Sequence, residues 1–418
     1  MSNLVKLLVI SNGHGEDIIA LKVINKIREI NPHISIESLP LVGEGFAYGK
    51  ENISLIAPVK KMPSGGFIYM DNKQLWQDVN NGLIGLTFTQ FKAVKSWAKQ
   101  GYYILAIGDI LPLLFAWLSG ANYGFIGTAK SEYYLRDEDG FLPNISQLDR
   151  TFGSIYYPWE KWLMKNQRCF GVFPRDSLTA TSLQKDGICA YDFGNPMMDD
   201  LTISPSIDID NDDSLKILLL PGSRFPECID NWLLILSAID GIIDNESRDL
   251  IFVSAIAPSL KLSDFTDVIQ QRGWQKNTIN KINSVNILIN DRHGIVFTKR
   301  KAKLILSQNA YAQCLNYCDL SIAMAGTATE QFVGLGKPVI AFPGSGAQYN
   351  RKFAENQLRL LGISLQLVNH PQEVAEKLQQ LLSQPDLWQS IAINGKKRLG
   401  DSGASERIAN FIIDKINH

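Results

Sequence analysis

Several features are scarce in this sequence, and each scarcity removes a class of protein. Among 418 residues there are only five cysteines, an odd number without framework spacing, which is typical of a reducing cytoplasm and not of a disulfide-stapled secreted domain. The formal net charge is -1, so we expect no general electrostatic affinity for nucleic acid. Cys314 and Cys318 lie four residues apart, but no His or further Cys stands nearby, so we expect buried thiols and no metal site.

The sequence also lacks an apolar run long enough to span a membrane. The longest such stretch, residues 102–118, contains Gly108, Asp109 and Pro112 and falls short of the ~20 residues that a spanning helix needs. The apolar residues 7–10 are too few for the core of a signal peptide. We therefore expect a cytoplasmic protein whose contact with a membrane, if it has one, is peripheral.

A strand, a turn and a helix occur twice in the same order. Residues 4–11 and residues 215–220 are apolar runs, and each is followed by a Gly-containing turn and an amphipathic stretch, at residues 18–30 and 228–243. Such a unit opens a doubly wound parallel sheet. Strand and helix patterns alternate along the rest of the chain, which predicts an α/β fold of two Rossmann-like domains facing a central cleft.

The predicted boundaries follow from this repetition. The polar, acidic residues 202–214 are the expected linker. It separates an N-terminal domain, residues 1–201, from a C-terminal domain, residues 215–395, and residues 396–418 are expected to form a helix that packs back on the N-terminal domain. Further strands are predicted at residues 34–39, 103–107, 123–126, 250–256, 285–289, 295–297, 320–323, 338–342 and 365–367, and further helices at 327–334 and 374–382.

Residues 62–98 do not fit simple alternation. They are apolar and aromatic, with Gly-rich breaks and flanking lysines. One interpretation is a core helix packed on the sheet. The other is a surface that faces an acceptor or a lipid interface, and both can hold on different faces of the segment.

The most informative turn is Pro221-Gly222-Ser223-Arg224. Gly222 permits a tight turn, and the following helix directs free N–H groups at it, which favours a bound phosphate. Ser223 adds a hydroxyl donor, and Arg224 adds a planar cation suited to a pyrophosphate. The alternative is a plain strand-to-helix turn with an exposed Arg.

Two more loops of this kind follow strands in the second half. Residues 325–328, Ala-Gly-Thr-Ala, have small side chains that allow close approach, and Glu330 or Gln331, one turn into the helix, is suited to a ribose diol. Helix capping is the alternative. Residues 343–350 form the third loop. Because ligands of open α/β sheets bind at the carboxyl ends of strands, the three loops together predict a sugar-nucleotide site. Its candidate residues are Gly222, Ser223, Arg224, Gly326, Thr327, Ala328, Thr329, Glu330, Gln331, Gln348 and Asn350.

In the first half, polar residues also follow apolar strands. Asn12-Gly13-His14-Gly15-Glu16 follows the first strand, and His14 is either a base or hydrogen-bond donor or an ordinary loop residue. Asp109 follows another strand within apolar sequence. It is either a general base or the N-cap of the next helix.

Three motifs, in their order and spacing, resemble those of lipid A disaccharide synthase. They are Phe-Gly-Asn-Pro-Met-Met-Asp at residues 193–199, Leu-Pro-Gly-Ser-Arg-x-x-Glu at 220–227 and Gly-Thr-Ala-Thr at 326–329. More narrowly, the chain resembles the branch called lipid A disaccharide synthase-related. Wider relatives are the UDP-N-acetylglucosamine 2-epimerases and the glycosyltransferase of peptidoglycan lipid II assembly. The resemblance runs over most of the chain.

This resemblance implies a GT-B fold and an inverting, metal-independent hexosyl transfer from a UDP-sugar, without a further cofactor, in glycolipid biosynthesis. It implies peripheral attachment to the inner face of a membrane, through residues 62–98, and a lipid acceptor. The family's phosphate-binding Arg falls on Arg224 and its strand-end acid on Asp109, with Asp109 or His14 as the base. The acceptor side would include Asn12, Gly13, Gly15, Glu16 and Asn195.

The chain departs from the family at three places. The family's ribose-binding Glu aligns with Gln331, its Gly-His before the linker reads Gly194-Asn195, and residues 127–134 replace its Trp-containing stretch. Three hypotheses follow. The first is an inverting glycosyltransferase with a lipid or lipid-like acceptor, the second is an isomerase of the 2-epimerase type, and the third is a non-catalytic homologue that binds a sugar nucleotide or a lipid. The sequence makes no prediction of oligomeric state.

Overall fold

The computed structural model describes residues 6–13, 15–60, 83–201, 213–277 and 289–417. The chain divides into two compact units, one made of Met1–Asp199 with Asp401–His418 and the other of Asp200–Gly400. Most of the predicted linker, residues 202–212, lies outside the described residues. We describe each unit by itself.

The N-terminal unit is built on a parallel sheet of five strands in the order β2-β1-β3-β4-β5. The strands are β1 (Lys6–Ser11), β2 (Ser35–Pro40), β3 (Tyr103–Gly108), β4 (Asn122–Gly127) and β5 (Cys169–Pro174). Its helices are α1 (Gly15–Ile30), α2 (Phe46–Lys50), α3 (Leu83–Ala98), α4 (Ile110–Ser119), α5 (Gln147–Phe152), α6 (Pro158–Met164) and α7 (Ser177–Lys185).

Both faces of this sheet are covered, as its continuous apolar strands require. Leu7 and Val9 of β1 pack with α1 in one core cluster, whereas Leu8 and Ile10 pack with α3 and α4 in another. Alternate residues of a strand point to opposite faces, so the two clusters lie on opposite sides of the sheet. The first cluster also includes the last helix of the chain, α15 (Ala404–Asn417).

In the C-terminal unit, the described residues form a sheet of eight strands in the order β13-β12-β11-β6-β7-β10-β9-β8. β9 pairs antiparallel with β10 and with β8, and the other pairs are parallel. The strands are β6 (Leu215–Leu220), β7 (Leu250–Ala255), β8 (Gln275–Lys276), β9 (Ile295–Lys299), β10 (Ala302–Ser307), β11 (Leu320–Ala323), β12 (Val339–Ala341) and β13 (Leu365–Leu367).

The helices of this unit alternate with its strands. They are α8 (Glu227–Asn245), α9 (Leu262–Gln271), α10 (Tyr311–Tyr317), α11 (Thr327–Gly334), α12 (Arg351–Leu361), α13 (Val374–Leu382) and α14 (Pro385–Leu399). None of the helices in the described parts of the chain is long and apolar enough to cross a bilayer.

Most predicted strands form within two residues of their expected ends, but three strands were missed. β5 contains a Gly and ends in Pro, β8 has only the two polar residues Gln275–Lys276, and β10 contains Lys303, so none of them presents an uninterrupted apolar run. The strand predicted at 285–289 falls almost entirely outside the described residues. Residues 61–82 also lie outside them, so only the last part of the segment 62–98 can be compared. There the core-helix interpretation is confirmed, because Val94, Trp97 and Ala98 are buried against the sheet.

Candidate functional site

The three predicted loops of the C-terminal unit come together because they follow three neighbouring strands. β12, β11 and β6 are adjacent in the sheet and parallel. Residues 221–224 follow β6 and are called the phosphate loop. Residues 325–328 follow β11 and are called the threonine loop, and residues 343–350 follow β12 and are called the Gly-Ser loop.

Gly222 brings the phosphate loop close to Met324, the residue before the threonine loop. Its φ is +94°, which L side chains rarely adopt, and a Cβ there would lie 3.2 Å from the carbonyl oxygen of Met324. On its other side, the Asn231 amide Nδ2 donates to the carbonyl of Pro221 over 3.1 Å. Gly222 therefore forms the tight turn that the sequence predicted, and it also allows the chain to pass close to the Met324 carbonyl.

Glu227, the first residue of α8, holds the Gly-Ser loop. Its Oε1 accepts from the backbone N–H of Tyr349 over 2.6 Å, and its Oε2 accepts from that of Gln348 over 3.0 Å. A Cβ at Gly346 would lie 2.2 Å from the Glu227 carboxyl carbon, so the loop closes tightly around this side chain. A charged acceptor makes such bonds stronger than neutral ones. Glu227 thus fixes the Gly-Ser loop to the end of the phosphate loop.

Gln357 of α12 ties the Gly-Ser loop to the threonine loop. It is buried, and its Nε2 donates to the carbonyls of Ala325 and Gly326 over 3.0 and 3.2 Å. Its Oε1 accepts from the Tyr349 hydroxyl over 2.9 Å. The three loops are therefore connected pairwise. Neither Gln357 nor Tyr349 was predicted, because their role depends on contacts between distant parts of the chain.

Ser223, Arg224 and Thr327 are exposed, so their side chains remain candidates for ligand contact. Helix α11 begins after Gly326, and no side chain of the described residues caps it. The amides in its first turn are suited to an anion, and Ala328 is part of that turn. The arrangement can bind a phosphate through backbone N–H groups, a hydroxyl and a guanidinium.

Three other predicted residues of this unit have structural partners for their side chains. Thr329 is fully buried, and its hydroxyl donates to the Ala325 carbonyl over 2.6 Å. The prediction that this hydroxyl contacts the ligand is therefore wrong. Gln331 Oε1 accepts from the Tyr311 hydroxyl over 2.6 Å. Asn350 Oδ1 caps α12 by accepting from the N–H of Phe353 over 3.0 Å. Gln348 contributes its backbone to Glu227, and Glu330 is half-buried.

In the N-terminal unit, the polar residues also gather at the ends of adjacent strands. Gly13 follows β1 with a φ of +112°, and a Cβ there would lie 2.1 Å from the carbonyl oxygen of Val42. Asn12 packs against Gly108, the last residue of β3, and its buried Oδ1 has no hydrogen-bond partner among the described residues. Gly15 has open space around it, and His14 lies outside the described residues.

Two successive carboxylates at the start of α1 have different surroundings. Asp17 is buried and its Oδ1 accepts from the Ser11 hydroxyl over 2.6 Å, while Ser11 also shares a hydrogen bond of 2.7 Å with the Tyr48 hydroxyl. Glu16 points elsewhere, since its Oε1 accepts from the Thr128 hydroxyl over 3.3 Å. Thr128 follows β4, and its N–H donates to the Gly108 carbonyl over 3.1 Å.

Burial raises the pKa of the Glu16 carboxyl above its ordinary value. A hydrogen bond from its own backbone N–H lowers the pKa, the charge of Asp109 raises it, the Thr128 hydroxyl lowers it, and the charge of Asp17 raises it. The net direction is upward. The surroundings of Glu16 therefore favour the protonated form of its carboxyl group.

Asp109 lies beside this group and caps α4, as one of its two sequence interpretations predicted. Its Oδ1 accepts from the N–H of Leu111 over 2.9 Å.

Asn195 is buried, and its Oδ1 accepts from the N–H of Met197 over 3.1 Å. The Asn195 side chain therefore stabilises the short turn Pro196–Met198, a structural task that its place on the predicted acceptor side did not anticipate. Thr128 was missed, because a Thr after a strand carries no distinctive signal.

Comparison with known proteins gives results only at the level of structure. No protein-family model matches the chain, and no curated protein matches it in sequence. Among solved structures, a putative UDP-N-acetylglucosamine 2-epimerase from Listeria monocytogenes is similar, with 14% identity, 99% of this chain and 97% of that chain covered, and a TM-score of 0.55. MnaA of S. aureus, solved with UDP, has 16% identity, the same coverage and a TM-score of 0.55.

MurG of Acinetobacter baumannii is also similar, with 11% identity, 98% of this chain and 99% of that chain covered, and a TM-score of 0.53. At these identities the likeness concerns the fold. The predicted fold class is confirmed: the chain has a GT-B fold of two Rossmann-like α/β units. None of these three similar proteins is named as a lipid A disaccharide synthase.

Proposed function

We propose that this chain is an inverting, metal-independent glycosyltransferase that moves a sugar from a UDP-sugar to a lipid or lipid-like acceptor, in the manner of lipid A disaccharide synthase. The observation that carries the proposal is the set of three connected loops in the C-terminal unit. Their structural bonds involve Glu227, Gln357 and Asn231, while Ser223, Arg224 and Thr327 stay exposed. A loop system of this kind suits a pyrophosphate.

The donor chemistry follows from the charge that develops when UDP departs. The bond from the anomeric carbon to the β-phosphate breaks, and the phosphate gains negative charge. In this proposal Arg224 and the first-turn amides of α11, which belong to the same unit, stabilise that charge, a task that a metal ion performs in other enzymes. The similar protein MnaA was solved together with UDP, which supports this choice of nucleotide.

The acceptor belongs in this proposal to the N-terminal unit, whose strand ends carry carboxylates. The exposed side of α3 supports a lipid acceptor. Phe88 is 57% exposed, and the ammonium group of Lys92 lies 4.3 Å from the centre of its ring. Lys95 on the same helix is exposed as well. Aromatic and basic side chains together suit an anionic membrane surface, so we propose peripheral association with the cytoplasmic face of a membrane.

The second candidate function is isomerisation of the 2-epimerase type. It is favoured by the likeness to the Listeria protein and to a UDP-N-acetylglucosamine 2-epimerase from Neisseria meningitidis, which has a TM-score of 0.52. An epimerase uses the same nucleotide site and needs no acceptor. A homologue that binds a sugar nucleotide or a lipid and catalyses nothing is the remaining alternative.

A UDP-release assay separates these functions. The full chain is incubated with a panel of UDP-sugars, with and without membrane lipid extract and with EDTA present throughout. Release that requires lipid, with a new glycolipid seen by mass spectrometry, supports transfer. Conversion of the UDP-sugar to its 2-epimer without lipid supports the isomerase. UDP binding by calorimetry without any turnover supports the non-catalytic homologue, and failure to bind UDP contradicts both enzyme functions.

A vesicle flotation assay tests the membrane part of the proposal. Vesicles with anionic lipid should carry the chain to the top of a density gradient, and neutral vesicles should carry less of it, because Lys92 and Lys95 contribute electrostatic attraction. A chain that stays at the bottom with both kinds of vesicle would count against a membrane-bound acceptor.

A further inference from the structure

The N-terminal unit contains a carboxylate pair made from the ends of two adjacent strands. Glu16 follows β1, Asp109 follows β3, and these strands are neighbours in the sheet. Thr128 connects the two positions, because its hydroxyl donates to Glu16 and its N–H donates to Gly108, the residue before Asp109. Three strand ends therefore converge on Glu16.

The oxygens of these carboxylates are not equally engaged. Asp109 uses Oδ1 to cap α4, and Asp17 uses Oδ1 to accept from Ser11. Among the described residues, the side-chain hydroxyl that donates to Glu16 is that of Thr128, and this bond is long at 3.3 Å. Glu16 as a residue is half-buried, so part of it stays accessible to solvent.

Charged and titratable groups face Glu16 from three elements. Asp17 is on α1, Asp109 is at the start of α4, and Tyr48 is on α2 and interacts with the Glu16 charge. A cation also lies nearby, since the guanidinium of Arg175, which follows β5, donates to the carbonyl of Thr128 over 3.1 Å. The effects that raise the pKa of Glu16 are its burial and the charges of Asp109 and Asp17, and they favour the uptake of a proton.

We infer that Glu16 is the general base of the transfer reaction, and that Asp109 is a positioning residue that acts through its charge. This inference rests on the proposed function. The O–H bond of the acceptor hydroxyl breaks and its proton moves to the Glu16 carboxylate, while the hydroxyl oxygen forms a bond to the anomeric carbon. The bond from that carbon to the β-phosphate oxygen breaks, and UDP leaves with the electron pair. Uptake of the proton relieves the repulsion between Glu16 and Asp109.

The kinetic test compares three variants of the full chain across a pH series, in the assay that detects lipid-dependent UDP release. Glu16→Gln should lower kcat about 100- to 10,000-fold, the usual contribution of a general base. It should also remove the loss of activity at acidic pH. Asp109→Asn should keep measurable activity and move the acidic limb to lower pH, because the repulsion that favours protonation of Glu16 is gone. The matched control is Glu29→Gln, an exposed carboxylate at the other end of α1, which should behave as wild type.

Calorimetry with UDP distinguishes the two ways in which this test can fail. A Glu16→Gln variant that binds UDP as wild type does and keeps kcat within about threefold would overturn the inference while the proposed function stands. If Asp109→Asn abolishes turnover and Glu16→Gln does not, the base is Asp109 instead. If wild type itself transfers no sugar, the proposed function fails.

An NMR titration tests the inference without an activity assay, and it therefore applies even if wild type transfers no sugar. Carboxyl carbons of the chain labelled with 13C-glutamate are titrated by NMR, and the Glu16 signal is assigned by its absence in Glu16→Gln. The midpoint should lie above that of exposed glutamates such as Glu29, and Asp109→Asn should lower it. A Glu16 midpoint equal to that of Glu29 would refute the inference, whatever the turnover.

Discussion

The two units carry the same kind of strand-end loops but equip them differently. In the C-terminal unit, the side chains of Glu227 and Gln357 form hydrogen bonds with the loop backbone. The residues Ser223, Arg224 and Thr327 are exposed, and they carry a guanidinium and two hydroxyls. In the N-terminal unit, the strand ends carry the carboxylates of Glu16 and Asp109. The guanidinium and hydroxyls of the first arrangement are suited to binding an anion, as we propose. The carboxylates of the second are suited to accepting a proton. One fold, used twice, thus presents opposite electrostatics at equivalent positions.

The largest effect is expected from Gly13→Ala in the N-terminal unit. Its φ of +112° and the 2.1 Å approach of a Cβ to the Val42 carbonyl combine backbone strain with a clash against rigid backbone. We expect a loss of about 3 kcal/mol or more in the free energy of unfolding, measured by urea denaturation. The matched control is Gly15→Ala, which meets open space at a helix start and should cost nothing. Equal stability of the two variants would contradict the observed turn.

Arg224→Ala tests the anion-binding side of the comparison. Removing a charged hydrogen-bond donor should weaken UDP binding by about 10- to 100-fold, or roughly 1.5–3 kcal/mol. The control is Arg300→Ala, whose side chain is 64% exposed and pairs with Asp244 in the same unit. Unchanged affinity in Arg224→Ala, measured by calorimetry, would mean that the phosphate lies elsewhere.

Glu227→Gln should have a smaller, mixed effect. The amide keeps one oxygen that can accept from Tyr349, but it loses the charge and the second acceptor for Gln348. We expect a loss of about 1 kcal/mol in stability and a severalfold weaker affinity for UDP, because the Gly-Ser loop is held less firmly. Thermal unfolding and calorimetry measure the two effects. An affinity loss as large as that of Arg224→Ala would indicate that Glu227 does more than hold the loop.

The smallest effect has the opposite sign. Because the pKa of Glu16 is raised in the folded state, the folded protein binds more protons than the unfolded chain, and stability falls as the pH rises through that interval. Glu16→Gln removes this titration. At pH 7 the variant should be more stable than wild type by no more than about 1 kcal/mol, given partial solvent screening, and the difference should vanish below the pKa of the unfolded chain. Unfolding temperatures at pH 4 and pH 7 test the sign.

Sequence alone predicted the parts of the site that depend on local chemistry. The turns at Gly13 and Gly222 need a residue without a side chain, and the sequence has glycine at both positions. Arg224 follows Gly222 by two residues, and this local pattern is the basis of its proposed contact with phosphate. The fold class followed from the alternation of strand and helix patterns. These features are short-range, and neighbouring residues determine them.

The remainder depends on direction and on distant contacts. Glu16 and Asp17 are neighbours in sequence, but successive helix residues point about 100° apart. One therefore turns to Thr128, and the other to Ser11. Gln357 and Tyr349 are joined to the loops by contacts that no local pattern indicates. Thr329 looked like a ligand-facing hydroxyl, yet the turn of α11 directs it back to the Ala325 carbonyl.

The return of α15 to the first sheet has a consequence for biosynthesis. The N-terminal unit comprises Met1–Asp199 and Asp401–His418, and Ile408, Ile412 and Ile416 are buried in its core. During synthesis, the ribosome therefore delivers the whole C-terminal unit before the first unit has all its parts. Until then an apolar face of α1 lacks its cover. A growing chain of this design exposes a surface for chaperones for as long as the second unit takes to translate.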